Sequence, residues 1–331
     1  MHAPWRLASL ACLVFALPIQ AQHDTPKPPK PPKHYDRHND RDNAVESRVD
    51  TTVSLSRSGT VDLQSFSGDI TIVGTDGDQV KIHATSHSRL TFESSSSRVS
   101  LVESPEHNSY RDDNDDYDND EGHNRVEVSM PKSARLLVRS LSGDIKLHDV
   151  ADVEAHSVSG DLDVTNVASH AIIETISGSA TIVHVSAGVR VNTVSGDIHA
   201  KQITGEVSAQ SVSGDIVLDD ITSSFVRSET VSGEVHFSGP VDPKGRYEFH
   251  SHSGDVDVNI AGGGNDATLD VETYSGDLDT SCSITMQPNS SSTRMGKRGT
   301  YTIGHGGGAH FILKTFSGDV RISGCRSHGD N

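Results

Sequence analysis

The chain has 331 residues and a formal charge of −18, and aromatic residues make up only 5% of it. An acidic chain with few aromatic side chains lacks the positive field and the stacking surface that nucleic-acid-binding proteins use. The length allows one large domain or two ordinary ones, and no long stretch shows a helical period. Glycine, serine, aspartate, valine and threonine are abundant, which favours strands and turns.

The first 21 residues have the features of a cleaved secretory signal peptide. Arg6 gives a short positive start, residues 7–17 form an apolar run, and Ala21 ends a segment typical of a cleavage site. The apolar run is too short to span a bilayer, although an anchor or a buried strand is an alternative interpretation. We therefore expect export to the periplasm, the outer-membrane surface or the extracellular space, with no transmembrane segment in the mature chain.

A tail rich in proline and lysine follows at residues 22–45, and we predict that it is disordered. It would serve as a spacer or as an unstructured leader. Strand-like alternation begins near Val49, so the sequence predicts a single domain over residues 46–326, and residues 327–331 form a short tail.

An acidic insertion at 104–124 separates two predicted strands, at 98–103 and 125–130. It holds the best candidate for a metal site, a low-affinity calcium site formed by Asp116, Asp118, Asp120 and Glu127. The spacing is similar to that of a calcium loop, but Glu121 stands where such a loop needs glycine. The alternative is a solvated acidic loop, and no other cofactor is expected.

One tripeptide, Ser-Gly-Asp, organises the rest of the chain and occurs ten times, two of them as variants. Its glycines are Gly68, Gly143, Gly160, Gly178, Gly196, Gly214, Gly233, Gly254, Gly276 and Gly318. Between the second and the ninth glycine the spacing is 17 to 22 residues. Apolar residues stand two positions after and seven positions before every glycine, and serine or threonine stands three before it.

This pattern has a period of two on both sides of the glycine, as in strands with one buried face. The sequence therefore predicts an all-β fold, a single β-solenoid (β-helix) with coils of about 18–22 residues and two short strands per coil. The glycines mark one turn of each coil. A second turn is predicted about nine residues later, as at 187–188 and 204–206. The residue two before the glycine is also mostly apolar but out of phase, which predicts a bulge or corner that re-aims it.

Two cysteines follow the repeat glycines at nearly equivalent positions. Cys282 lies six residues after Gly276, and Cys325 lies seven after Gly318. If these two coils stack directly, the sulfurs meet, and we predict a disulfide at the C-terminal end. Two free thiols are the alternative. The segment between them at 288–308 is predicted to be an enlarged loop.

Eight repeats carry aspartate after the glycine, and stacked coils would place these carboxylates in a column: Asp69, Asp144, Asp161, Asp197, Asp215, Asp255, Asp277 and Asp319. The column would bind divalent cations, or each side chain would accept N–H groups within its own turn. Ser179 replaces one aspartate without breaking the repeat, which favours the turn role. The Ser/Thr positions would form an outward polar strip or, as their phase suggests, bond inward.

Histidine offers one further metal candidate. Glu248, His250 and His252 alternate along a predicted strand and would share a face, which is enough for a weak transition-metal site. Ordinary surface histidines are the alternative interpretation.

The repeated Ser-Gly-Asp-Ile/Val step, the Met130-Pro131 strand end and the N-terminal signal resemble the bacterial putative-adhesin domain family. The resemblance covers about residues 50–325. It implies an exported cell-envelope protein with a β-solenoid fold, no established biochemical function and no catalytic residues to carry over.

We therefore expect a non-enzymatic, exported cell-envelope or secreted scaffold that binds a surface, polysaccharide or protein partner in the manner of an adhesin, and no nucleic acid. The alternative is a carbohydrate-active parallel β-helix enzyme, a polysaccharide lyase or hydrolase. Such chemistry needs two carboxylates in different environments, whereas the carboxylates of this repeat are interchangeable.

Overall fold

The computed structural model describes residues 47–65, 67–104, 124–261, 266–287, 291–293 and 296–325. All of them lie within one unit, Ala44–Asn331. This part of the chain contains strands and no helix, which confirms the all-β prediction. It holds no helix long and apolar enough to cross a bilayer. The predicted signal peptide, the proline-lysine tail and the 327–331 tail lie outside the described residues.

The described residues form 27 strands. The first nine are β1 Ser47–Ser54, β2 Thr60–Ser65, β3 Asp69–Thr75, β4 Gln79–Ser86, β5 Arg89–Ser94, β6 Arg98–Ser104, β7 Arg125–Pro131, β8 Arg135–Ser140 and β9 Ile145–Val150. The next nine are β10 Asp152–Ser159, β11 Leu162–Val167, β12 His170–Ser177, β13 Ala180–Val185, β14 Gly188–Ser195, β15 Ile198–Ile203, β16 Glu206–Ser213, β17 Ile216–Asp219 and β18 Ser223–Ser232. The last nine are β19 Val235–Ser253, β20 Val256–Ala261, β21 Ala267–Ser275, β22 Leu278–Thr280, β23 Ile284–Met286, β24 Ser291–Thr293, β25 Gly296–Ile303, β26 Ala309–Ser317 and β27 Val320–Ser323.

Most strands belong to two sets of parallel neighbours, which we name sheet A and sheet B. In sheet A the order is β3, β9, β11, β13, β15, β17, β19, β20, β27 and β22. In sheet B the order is β2, β8, β10, β12, β14, β16, β18, β19, β26 and β21. The 19-residue strand β19 pairs in sheet A through its first part and in sheet B through its second.

The register places equivalent repeat positions next to one another. Val153 pairs with Ala171, and Ala171 pairs with Val189. Because each pairing partner is one repeat away, each repeat position forms a row across its sheet. The rows predicted to face inward are buried, and they form a continuous apolar core between the sheets.

Aromatic residues fill the core where the repeat lengthens from 18 to 21 residues. The rings of Phe237 and Phe249 lie 5.1 Å apart, and Tyr247 stacks on Phe311 at 4.7 Å. The Tyr247 hydroxyl donates a hydrogen bond to the Ser223 carbonyl at 2.7 Å and accepts one from the Asp242 N–H at 2.8 Å. Burial raises the pKa of Tyr247, and these two bonds satisfy its hydroxyl inside the core.

The N-terminal end is capped by the segment that separates the first two repeats. Strands β2 and β3 pair directly with β8 and β9, although 75 residues separate their glycines. The intervening chain folds against the outer edges: β6 pairs with β2, and β7 pairs with β3. Strands β5, β4 and β1 then add in antiparallel order. The sequence did not predict β5, whose alternation is short and only half-buried.

At the C-terminal end the order in space departs from the order in the chain. Strand β26 lies between β19 and β21, so the last repeat stacks inside the one that precedes it in sequence. Strand β25 pairs in antiparallel fashion with the other edge of β21, which leaves the inner edge for β26. The prediction of an enlarged loop at 288–308 is therefore wrong for Gly296–Ile303.

A disulfide joins the two repeats that exchange places. Cys282 follows β22 and Cys325 follows β27, and these strands are direct neighbours in sheet A. The two Cα atoms lie 5.3 Å apart. The bond closes the C-terminal end of the stack, because it ties the last described residue of the chain to the outermost strand of sheet A.

The glycines of the Ser-Gly-Asp corners form a column through the whole stack. Gly160 has a φ of +119°, and a Cβ atom added to it would collide with the carbonyl of Gly143. The same collision recurs at each later corner, always with the glycine of the neighbouring repeat. Glycine is needed at this position because no side chain fits where two backbones approach so closely, and at the corners from Gly68 to Gly254 the positive φ favours glycine as well.

A second corner, six residues after the glycine, was not predicted. Five residues other than glycine adopt the left-handed conformation there, with φ between 53° and 60°: Asp149, Asn166, His184, Gln202 and Asp220. The side-chain amide of Asn166 donates a hydrogen bond to the carboxylate of Asp149 at 3.1 Å. Asparagine and aspartate tolerate this conformation better than most residues, so the sequence carried only a weak signal for it.

Replacing Gly196 by alanine tests the glycine column. We expect the Gly196→Ala variant to lose more than about 2 kcal/mol of unfolding free energy, since its methyl group would meet the Gly178 backbone. The midpoint of urea unfolding of the full chain measures this loss. Gly77→Ala is the matched control, because the nearest atom to its added Cβ is 3.9 Å away. Equal midpoints for the two variants would contradict the steric argument.

Candidate functional site

A row of large apolar side chains is exposed beside the Ser-Gly-Asp corners, two residues before eight of the ten repeat glycines. We call it the apolar ridge; its members are Leu141, Val158, Ile176, Val194, Val212, Val231, Phe316 and Tyr274, and they are 40–52% exposed. A bulge or corner was predicted to re-aim this position. This prediction is wrong, because the strand alternates regularly through this position. The serine or threonine one residue earlier is buried, and the ridge residue is exposed to solvent.

Three rings stack at the C-terminal end of the ridge. The rings of His252 and Phe316 lie 4.9 Å apart with an interplanar angle of 12°, and those of Phe316 and Tyr274 lie 4.6 Å apart at 5°. Strand β26 lies between β19 and β21, so Phe316 has a ring against each of its faces. Phe316 therefore presents its edge to solvent, and the edge of an aromatic ring carries partial positive charge.

A groove of about 950 Å³ runs along sheet B beside the ridge. Its apolar wall consists of Val212, Val231, His252, Phe316 and Tyr274. Its polar wall consists of Gln210, Glu229, His250, Lys314, Glu272, Lys297 and Arg298. The lining reaches from β14 to β21 across six neighbouring strands, which at about 4.8 Å each gives a length of roughly 24 Å. A linear molecule would fit such a site.

Most charges of the polar wall have partners. Glu229 accepts a hydrogen bond from Arg227 at 2.6 Å and lies 3.3 Å from Nδ1 of His250. The ammonium of Lys314 lies 4.0 Å from a carboxylate oxygen of Glu272. Lys297 pairs with Asp277 of the last Ser-Gly-Asp corner in the stack.

His250 is the most perturbed group in the groove. Burial lowers its pKa below the ordinary value, and Lys314 and Arg227 lower it further, while Glu229 and Glu248 oppose them. Its Nε2 atom is buried and has no hydrogen-bond partner among the described residues. Glu248, His250 and His252 do lie on one strand as predicted, but the described residues include no group of three ligands that would hold a metal ion.

The pKa of His250 gives a pH dependence of stability with a definite sign. An unfolded histidine binds protons below about pH 6.5, whereas folded His250 resists protonation. Its contribution to stability is therefore complete above that pH and is lost as the pH falls through the folded pKa. We expect the wild type to lose more unfolding free energy than the His250→Gln variant when the pH is lowered from 7 to 5. Urea unfolding at pH 7 and pH 5 measures this loss, with His199→Gln as the control variant. If the wild type instead gained stability relative to His250→Gln at pH 5, the predicted direction would be refuted.

The aspartates of the corners are joined in a ladder of hydrogen bonds between neighbouring repeats. A carboxylate oxygen of Asp161 accepts the N–H of Ser179 at 2.8 Å, and one of Asp197 accepts that of Asp215 at 2.9 Å. The prediction of bonds within the same turn is wrong, because the stacked coil brings its own N–H closer. Ser179 has no carboxylate, and no such bond reaches Asp197 within the described chain.

The serine or threonine three residues before the glycine points inward. The hydroxyl of Ser251 donates to the Gly233 carbonyl at 2.9 Å, and that of Thr315 donates to the Gly254 carbonyl at 3.0 Å. The residues at this position are almost completely buried. In the C-terminal repeats these hydroxyls therefore hold neighbouring corners together. The hydroxyls of Ser140 and Ser157 instead bond within their own turn, and those of Thr175, Thr193 and Ser211 have no hydrogen-bond partner among the described residues. Because the whole position is buried, it does not form an outward polar strip.

Removing one rung of the ladder tests the structural role of the aspartates. We expect Asp197→Ala to lower the unfolding free energy by about 1.5–3 kcal/mol, because a charged acceptor is lost. Asp197→Asn keeps a side-chain oxygen and should lose less. Asp163→Ala, an exposed change on the outer face of β11, is the control. Chemical unfolding of the three variants decides the matter, and equal stabilities would show that the carboxylates do not hold the coils.

The acidic-loop candidate is only partly within the described residues. Asp116, Asp118 and Asp120 lie outside them, and the calcium site stays a prediction. Glu127 lies on the exposed side of β7, where one carboxylate oxygen is 3.5 Å from the guanidinium of Arg125.

A family model described as Toastrack DUF4097 matches residues 61–323. The chain belongs to the Toastrack DUF4097 family. This assignment agrees with the resemblance to a domain family of unknown function, and it spans both sheets and the groove. Among curated proteins, none matches this sequence.

Several solved structures match this Toastrack chain over most of its length. A "putative adhesin" from Bacteroides fragilis has 10% identity and a TM-score of 0.35, covering 83% of this chain and 97% of its own. One from Parabacteroides merdae has 9% identity and a TM-score of 0.33, covering 85% and 97%. A "putative cell adhesion protein" from Clostridium sporogenes has 9% identity and a TM-score of 0.23, covering 84% and 99%. Scores this low do not support the transfer of a function.

Proposed function

We propose that this chain is a non-enzymatic, exported binding protein whose strand stack is a β-solenoid of 18–22-residue coils, two short strands each. The solenoid acts as a rigid scaffold that presents the apolar ridge and the groove to a partner, as an adhesin does. The observation that carries the proposal is the ridge itself. A long exposed row of large apolar side chains, here interrupted by His252 between Val231 and Phe316, is typical of an interaction surface and is uncommon on a protein that has no partner.

Two further features support export. The N-terminal 21 residues have the pattern of a secretory signal, and the Cys282–Cys325 disulfide is of a kind that persists in oxidising compartments. The periplasm, the outer-membrane surface and the extracellular medium all meet this condition. The solenoid would place the ridge on an elongated surface, which suits contact with an extended partner in the cell envelope.

The arrangement of the carboxylates supports a binding role over the enzymatic alternative. A glycoside-cleaving site needs an acid and a base or nucleophile in different environments. Most aspartates of the corners are instead equivalent and accept backbone hydrogen bonds, and Asp277 at the end of the stack is paired with Lys297. In the groove, Glu229 and Glu272 both have cationic partners.

A retention assay tests the proposal. The full chain is immobilised, bacterial cells and envelope polysaccharides are passed over it, and both retention and product release are measured. We expect retention without cleavage, and at least a tenfold loss of retention in the double variant Ile176→Ser/Val194→Ser. Ile172→Ser is the matched control, because Ile172 is an exposed residue on the same strand as Ile176 but outside the ridge.

Two results would overturn the proposal. One is retention that the ridge variant leaves unchanged. The other is polysaccharide turnover that a single carboxylate substitution abolishes, which would establish the enzyme instead.

A further inference from the structure

The groove and the stacked rings beside it have a charge character that differs from the rest of the molecule. The chain carries a net charge of −18, yet Lys297, Arg298 and Lys314 converge on one end of the groove. Only two carboxylates, Glu229 and Glu272, line the same groove. The lining therefore has more cations than carboxylates, in contrast to the chain as a whole.

One of these cations is available to a ligand. Arg298 is exposed, and among the described residues it has no ion-pair partner within 4.0 Å. Asp270 is near enough to respond to its charge, but the carboxylate of Asp270 already accepts a hydrogen bond from Thr300 at 2.7 Å and lies 2.8 Å from Nε2 of His310. Glu272 lies opposite Arg298 in the register of β21 and β25, but its carboxylate pairs with Lys314 and not with Arg298. The guanidinium of Arg298 can therefore form a bidentate pair with an external carboxylate.

The aromatic end of the groove favours the same kind of group. Because Phe316 has rings on both faces, its exposed part is its edge. Ring edges are partially positive and attract negative groups, whereas ring faces attract cations. The Phe316 edge and the nearby cations together form a site that is electrostatically complementary to an anion.

The shape of the groove selects among anionic polymers. An extended acidic peptide would bind best by adding a strand to a free edge, but the strands beneath the groove are paired on both sides. A single-stranded nucleic acid would need aromatic faces on which its bases stack, and the faces of Phe316 are covered. A sugar chain needs neither of these features. The amide of Gln210 donates one N–H to Glu229 at 3.3 Å, and its second N–H and its oxygen can pair with sugar hydroxyls.

We propose that this groove binds a linear, carboxylated polysaccharide, with its carboxylate groups at Arg298 and the Phe316 edge and its hydroxyls along the polar wall. The proposal names the partner of the surface described under the proposed function and rests on it. Arg298 reaches the groove on β25, the strand that pairs with the outer edge of β21. This capping strand therefore completes the binding site as well as closing the sheet.

Binding of the full chain to defined polymers tests the assignment. Polygalacturonate is the probe, and hydroxyethylcellulose, amylose and poly-glutamate are the comparisons. We expect polygalacturonate to bind, binding to weaken as salt is raised, and Arg298→Gln to reduce the affinity about tenfold, which is the loss expected for one strong charged contact. Lys146→Gln is the matched control, because Lys146 is exposed on the outer face of sheet A, away from the groove. Phe316→Ser, a change at a half-exposed position, should weaken binding as well.

The following results would overturn the assignment: no binding of polygalacturonate, equal affinity for a neutral polymer or for poly-glutamate, or an Arg298→Gln variant that binds as the wild type does. The retention assay separates this failure from that of the proposed function. If Arg298→Gln and Phe316→Ser leave cell retention intact while Ile176→Ser/Val194→Ser abolishes it, the ridge binds a partner and the groove assignment is wrong.

Discussion

The close approach of one glycine to the next at the Ser-Gly-Asp corner is the constraint on which this structure depends. Each corner glycine lies so near the backbone of its neighbour that no side chain fits between them. This approach sets the spacing of the coils at their corner. It also brings the aspartate carboxylate of one repeat to the N–H of the next and, in the C-terminal repeats, the buried hydroxyl to the glycine carbonyl. Three elements of the repeat thus follow from one contact.

The same corner explains why the apolar ridge is exposed. Since the serine or threonine three residues before the glycine is buried, the next residue along the strand points outward. An apolar side chain there adds nothing to the core, and its neighbours along the ridge are equally exposed. The corner thus produces a row of equivalent exposed positions. Folding does not require a particular side chain at any of them. That freedom allows valine and isoleucine to give way to a stack of rings at one end.

Much of the fold was predictable because the repeat is periodic. The alternation at residues such as Ile145 and Leu147 identified the buried face, and equal spacing of the glycines implied neighbouring coils in register. The order of the strands at the C-terminal end of the stack was not predictable. Whether β26 adds outside β21 or inside it depends on which edge β25 occupies, and no local pattern records that choice. The left-handed corner at Gln202 was not predictable for a related reason. Its conformation is imposed by the neighbouring strands of the stack and not by the backbone preference of glutamine.

The sequence by itself determined the strands, the glycine corners and the inward rows, because each depends on residues that are close in the chain and repeat at a fixed interval. Only the tertiary structure decided where a site would form. Phe316, Tyr274 and Arg298 come from β26, β21 and β25, and their meeting requires an exchange of coil order and an antiparallel cap. Long-range pairing of strand edges controls both, and a one-dimensional pattern carries no information about which edge remains free.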